Sequence, residues 1–227
     1  ADAEVEYKDH ISNIIYASFK IIKTEKIFLK DSYIIIWTTT PWTIPANRAL
    51  VYGSKIKYSV IQIGKDTKYF QNKKIIIATE LIKTVSEKCD LKDFKILKEF
   101  NGSDLKNTIC QHPFLDLGYD YDIPMLEGDF VTLEQGTGVV HAAPSHGPDD
   151  FNLCLKHGLK APDTINDAGI YSEAIPFFSG MHIFKADPAI IDKLSEFKSL
   201  LGKGKLQHSF PHSWRSKAPL VYRATPQ

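Results

Sequence analysis

The rhythm of its short apolar runs constrains this chain most. Residues 14–22, 33–37, 57–63, 73–78, 94–98, 122–132, 137–142 and 219–223 each read as a strand. Turn-forming clusters separate them, as at Gly64-Lys65-Asp66 and Asn101-Gly102. Short strands at this spacing predict a β-rich α+β fold centred on a barrel or sandwich, with few helices. One helix is read over 78–88. A second is read from Pro148 to about His157, with Gly147 as cap, Gly158 as stop, and Asp149 and Asp150 in the first turn, where the helix dipole favours a carboxylate. A third is read over 188–201, with Asp187 as cap, Pro188 at the first helical position and Gly202 at the end. Its Ile190, Ile191, Leu194, Phe197, Leu200 and Leu201 share one face. The tail from His208 reads as a return strand or the start of a junction.

The 227 residues carry a formal net charge of +1, so strong, unaided binding of nucleic acid by charge alone is not expected. No apolar run is long enough to span a bilayer. Cys89, Cys110 and Cys154 are an odd, scattered set. They fit neither a disulfide framework nor a zinc knuckle, and point to a reducing, cytoplasmic compartment. The opening Ala1-Asp2-Ala3-Glu4 and the closing Ala224-Thr225-Pro226-Gln227 read as the ends of a fragment, one domain over 1–227 cut from a longer protein.

Two stretches carry chemistry. In the first, strand 33–37 runs into Thr38-Thr39-Thr40-Pro41-Trp42-Thr43-Ile44-Pro45-Ala46-Asn47. Its prolines fix their own φ and donate no backbone hydrogen bond, which predicts a stiff, polar, irregular loop. The second is Gly136-Thr137-Gly138-Val139-Val140-His141-Ala142-Ala143-Pro144-Ser145-His146-Gly147-Pro148-Asp149-Asp150, again glycines, a short strand and a kinked polar turn. His141, His146, Asp149 and Asp150 have no recognised zinc spacing, so no metal is expected. No nucleophile elbow or dinucleotide fingerprint is present. His208 and His212, separated by Pro211, read as surface or packing residues. What remains is a set of hydroxyls, an amide, an imidazole and a carboxylate, which suits an amino acid: a carboxylate for its ammonium, hydroxyls for a carbonyl and a water.

Trp37–Asn47 resembles the threonine-rich motif of the editing (CP1) domain of the isoleucyl-tRNA synthetases, and Gly136–Asp150 resembles that domain's second signature. Thr40-Pro41-Trp42 is similar to the isoleucyl branch, where the valyl and leucyl branches carry Thr-Thr-Arg-Pro. Trp214-Arg215-x-Lys217-x-Pro219 with Tyr222–Gln227 resembles the return of that enzyme's chain to its synthetic domain. Ser145 departs from the family, which has Gly or Ala there.

The resemblance implies a barrel-centred editing domain with a few peripheral helices, and hydrolysis of valine mischarged onto isoleucine tRNA. The need for it is steric: one missing methylene is worth only about 1–3 kcal/mol, and this family is itself the usual example of that limit. It implies that Asp150 binds the ammonium and that Thr38, Thr39 and Thr40 line the pocket and orient ester and water. His141 would wall the pocket against isoleucine or hold the ester end. Thr43 and Asn47 would support the loop, Trp42 would pack beneath it or meet the terminal adenosine, and the backbone of Gly136, Gly138 and Val139 would approach the ligand. No cofactor is implied in this domain, ATP belonging to the parent's synthetic domain. The implied partners are the acceptor end of isoleucine tRNA carrying valine and the rest of the synthetase chain; a monomer with no membrane contact is expected. The alternatives are a non-catalytic module positioning the acceptor end, and a metallohydrolase using His141, His146 and Asp150.

Overall fold

A computed structural model describes residues 4–225. Its organising element is β1 (Val5–Lys23), whose two halves do different work. The first half pairs antiparallel with β10 (Leu200–Ser213) as a largely exposed ribbon. The second half, Ile15 to Ile21, is buried except at Lys20 and pairs with β2 (Ser32–Thr38) on one edge and β7 (Ile109–Gln111) on the other. With β3 (Ala49–Tyr52), β4 (Lys57–Ile63), β5 (Lys74–Ala78), β6 (Phe94–Asn101), β8 (Asp122–Glu127) and β9 (Val139–Ala142), these make one mixed sheet. Its order is β6-β4-β5-β2-β1-β7-β8-β3-β9, with β10 added to β1.

The sheet is not a closed barrel. It curls until Thr137, just before β9, reaches β2 and β5 beyond the stretch where those two pair, its carbonyl accepting from Ala78 N–H at 2.8 Å and its hydroxyl donating to Ile35 C=O at 2.6 Å. No ladder completes the circuit, because two positive-φ glycines flank Thr137 and lift the chain out of strand geometry. The seam left open is where the candidate site lies.

Ile34, Ile35 and Ile36 of β2 and Ile75, Ile76 and Ile77 of β5 are fully buried, consistent with a strand covered on both faces. α3 (Ile183–Glu196) packs on this core through Ile183, Ala186, Ile190 and Leu194, one stripe at helical spacing. A smaller core of Ala49, Val51, Leu126, Ala142 and Cys154 seats α2 (Pro148–Lys156) against β3, β8 and β9. α1 (Ile82–Lys88) closes the helix count of the described residues.

Several sequence expectations shift. α3 starts earlier than 188 because His182, not Asp187, caps it, its Nδ1 accepting from Phe184 N–H at 3.2 Å. Pro188 therefore lies inside the helix. α3 ends before Gly202, Lys198 turning the chain at φ 56° so that Leu200 and Leu201 open β10 instead of extending the helical face. The 122–132 strand stops at Glu127, where Gly128 and Asp129 turn the chain. Residues 219–223 form only an isolated bridge, His212 with Pro219, since Pro219 supplies no N–H to a ladder. β3 and β7, four and three residues long, were not anticipated. Of the anticipated tail motif, Pro226 and Gln227 lie outside the described residues.

Candidate active site

β2 delivers Thr38 to the seam, and the following segment is not irregular: Pro41–Ala46 is a buried 3-10 helix. Thr38 Oγ1 accepts from Thr40 N–H at 3.0 Å, and both the N–H and the hydroxyl of Thr43 donate to Thr40 C=O at 2.9 Å. Pro41 suits such a turn because the first helical position needs no N–H, whereas Pro45 lies inside it, and the Trp42 C=O it leaves free is taken by the Tyr171 hydroxyl. Trp42 is gripped from outside: its N–H donates to Asp187 Oδ1 at 3.1 Å and its C=O accepts from the Tyr171 hydroxyl.

The opposite wall comes from the second stretch. Gly136 and Gly138 have φ of 85° and 82°. A Cβ on Gly138 would stand 2.4 Å from that of Ala78, so nothing larger fits. β9 then carries His141 inward, and α2 brings Asp150 back on its first turn. Gly147 leaves room for that carboxylate: a Cβ there would lie 3.2 Å from Asp150 Oδ2. Ser145, the departure from the resembled motif, is accommodated by its own bond, Oγ donating to Pro162 C=O at 2.5 Å.

Between the walls lies a recess of about 300 Å³. Thr38, Thr39, Thr40, Thr43, Gly136, Gly138, Val139, His141 and Asp150 all line it. Asn47 and Trp42 do not; they stand behind the wall. Asn47 is fully buried and holds His141, and Trp42 packs edge-to-face on His146 at 4.8 Å between ring centroids. Trp37, the segment Phe130–Thr132 and Gln135 also line the recess and were not named as site residues; His146, named only for the metal alternative, lines it too. The Gly128-Asp129 pair was the available signal that this segment leaves the sheet. The tail also contributes: His146 donates from Nδ1 to Tyr222 C=O at 3.1 Å, and Ala224 N–H donates to Ser145 C=O at 2.9 Å.

His141 has both nitrogens occupied, Nδ1 by the Asn47 amide at 2.6 Å and Nε2 by Thr43 Oγ1 at 2.8 Å. Burial, with His146 nearby, holds its pKa down at about 3, so it is neutral. His146 is likewise used at both nitrogens, the second by Thr164 Oγ1 at 2.7 Å, and burial lowers it to about 4. Neither ring presents a free lone pair to the recess, so the residues named for a metallohydrolase do not form a ligand set.

Asp150 Oδ2 accepts from Ala143 N–H at 2.9 Å, and Oδ1 makes no hydrogen bond among the described residues. Burial raises its carboxyl to about 6, against the Ala143 bond and with the help of Asp149. A carboxyl titrating there is mostly ionised at neutral pH. The arrangement is therefore a neutral, hydroxyl-lined hollow with one carboxylate able to grip an ammonium.

No family model matches the chain. It is 60% identical, over its whole length, to part of the isoleucine–tRNA ligase of Pelagibacter ubique. The identity is 42% with that of Gluconobacter oxydans and 39% with that of Shewanella pealeana, again across the whole chain. The chain spans about a quarter of the length of these relatives. The solved structure described as the crystal structure of GlLeuRS-CP1 superposes with a TM-score of 0.63 at 14% identity, covering 82% of this chain and 97% of that one. The chain is a homologue of one segment of the isoleucine–tRNA ligases, and its fold is the CP1 fold. No helix among the described residues is long and apolar enough to cross a membrane.

Proposed function

We propose that the recess hydrolyses the ester of valine mischarged onto isoleucine tRNA. The observation that carries this reading is the convergence of Thr38–Thr40 and Asp150 on one hollow, from stretches far apart in sequence. The valyl ammonium pairs with Asp150, and the isopropyl group lies against His141 and Val139. Isoleucine is refused because one extra methylene in a filled pocket costs about 1–3 kcal/mol. The Thr38–Thr40 hydroxyls hold the ester carbonyl and the water. The water oxygen bonds to the carbonyl carbon, the bond to the ribose oxygen breaks, and that oxygen leaves with a proton. With His141 neutral and engaged at both nitrogens, the proton relay falls to the substrate's own vicinal ribose hydroxyl. The ester is already activated, so positioning and electrostatics supply the acceleration. No cofactor or metal takes part, and the partners are the acceptor end of the tRNA and the remainder of the synthetase.

The test uses this chain and a minihelix carrying the acceptor stem of isoleucine tRNA. Release of valine from the valyl-minihelix, with the isoleucyl ester spared, is expected. Binding of both esters without release of either leaves a module that only positions the acceptor end.

A further inference from the structure

Near Tyr33, at the end of β2 away from Thr38, two cavities open side by side. One, of about 170 Å³, is lined by Ser18, Lys20, Lys73 and Lys198 among others. The other, of about 410 Å³, is lined by Lys68 and again by Lys73 and Lys198. None of these four lysines forms an ion pair among the described residues. The only acidic side chain lining either cavity, among those residues, is Asp116. In a chain whose net charge is only +1, this is a local excess of positive charge. Lys73 is held in place over aromatic faces, its Nζ 5.1 Å from the Tyr33 ring centroid and 5.2 Å from that of Phe70.

A second, independent feature lies in the first cavity. Ser18 lines it, is 2% exposed, and its hydroxyl has no hydrogen-bond partner among the described residues. A buried hydroxyl left unpaired is a cost that folded proteins seldom carry without a reason. An oxygen-rich anion seated among the lysines would accept from it.

We infer that this face is a phosphate-binding site in which Lys20, Lys73 and Lys198 grip the oxyanion and the Ser18 hydroxyl donates to it. Lysine supplies the compact charge and rotatable donors that suit a phosphate. The phosphate can come from an RNA backbone or from free phosphate. The RNA source rests on the function proposed above, and the half-buried rings of Tyr33 and Tyr69 beside the lysines favour it.

The site is tested by titrating the chain, followed by amide NMR, first with inorganic phosphate and then with the uncharged minihelix. Both ligands are expected to shift the amides of Ser18, Lys73 and Lys198. Replacing Lys73→Ala and Lys198→Ala together should weaken binding about tenfold and flatten the salt dependence by a log–log slope of about 1 per lysine. Ser18→Ala should weaken phosphate binding without lowering thermal stability; lower stability with unchanged binding makes Ser18 structural and overturns its role. Shifts with inorganic phosphate alone identify the free anion as the source. Absence of shifts with either ligand, or shifts unchanged in the double variant, overturns the site. Shifts that persist in a chain that releases no valine overturn the hydrolytic reading and leave this one standing.

Discussion

Asn47 donates its side-chain amide to Nδ1 of His141 at 2.6 Å. The same Nδ2 also donates to Ala49 C=O at 3.0 Å, which fixes the orientation of the amide. Nδ1 of His141 must therefore accept, the ring proton sits on Nε2, and it is donated to Thr43, whose own hydroxyl goes to Thr40 C=O. One amide behind the wall thereby sets the tautomer in front of it and ties both motifs together. Asn47→Ala should destabilise the fold by about 1–3 kcal/mol in denaturant titrations, the cost of buried partners left unmet. It should also blur the choice between valyl and isoleucyl esters; destabilisation with selectivity intact would make the bond purely structural.

His141→Ala should let the isoleucyl ester be cleaved if, as proposed, the imidazole lining the recess fills the volume that a longer side chain would need. The expected readout is a rise in isoleucine release relative to valine release by at least tenfold. Continued protection of isoleucine removes His141 from the sieve. Chelators should change neither rate, since the nitrogens of His141 and His146 are already used within the fold.

Asp150 gives a pH signature. Its folded carboxyl titrates near 6, above the ordinary 3.8, so the fold binds this proton more tightly than the unfolded chain. Its contribution to stability is present below pH 3.8 and is lost as pH rises to about 6. Hydrolysis has the opposite slope, because only the ionised form grips an ammonium: kcat/KM should rise through pH 6 and level off above it. Asp150→Asn should cut kcat/KM for the valyl ester at least a hundredfold and abolish that rise. A retained rise assigns the ionisation to another group. His141, lowered from 6.5 to about 3, works the other way on stability, its contribution complete above pH 6.5 and lost as pH falls towards 3.

The parts of the fold legible in the sequence were those with local causes. The apolar run 33–37, the glycines before β9 and the Gly147-Pro148 start of α2 each carry their reason within a few residues. Asp150 and the threonines were found the same way, by residue type and by resemblance. Asp187 was misread because a sequence cannot show that a carboxylate next to a proline is claimed by a distant backbone N–H. The wall 130–135 was missed for a related reason: Phe130, Val131 and Thr132 have strand-like side chains, and only the preceding Gly128-Asp129 turn takes them out of the sheet. Closure of the barrel failed on geometry that depends on two φ angles, not on hydrophobic pattern.

Gly138→Ala isolates that geometry. The residue sits at φ 82°, and its C=O accepts from the buried Tyr58 hydroxyl at 2.6 Å. An added methyl meets Ala78 Cβ at 2.4 Å, so the loop must move away from β5. Left-handed strain of about 1–2 kcal/mol adds to the overpacking. A clear loss of thermal stability and of valine release is expected, whereas Gly158→Ala, at φ 73° with open space around it, should show the strain alone and keep activity. Equal losses in the two variants would show that Ala78 contact is not what requires glycine.

Asp187 is the residue that couples α3 to the threonine turn. Oδ1 accepts from Trp42 N–H and Oδ2 from Asn13 Nδ2 at 3.2 Å, so one carboxylate joins the helix, the ribbon strand β1 and the wall of the recess. Trp42 C=O is held at the same time by Tyr171, which leaves the turn little freedom to slide. Asp187→Ala should cost about 1–3 kcal/mol of stability by orphaning the N–H of buried Trp42 and the amide of half-buried Asn13. On the proposed reading Asp150 holds the substrate from the opposite wall, so the loosened turn should lower kcat for valine release more than it raises KM. Asp187→Asn keeps an acceptor for Trp42, and the Asn13 amide can turn to offer its oxygen, so most of kcat should return. A stability loss with kcat unchanged in the alanine variant would confine Asp187 to holding the fold.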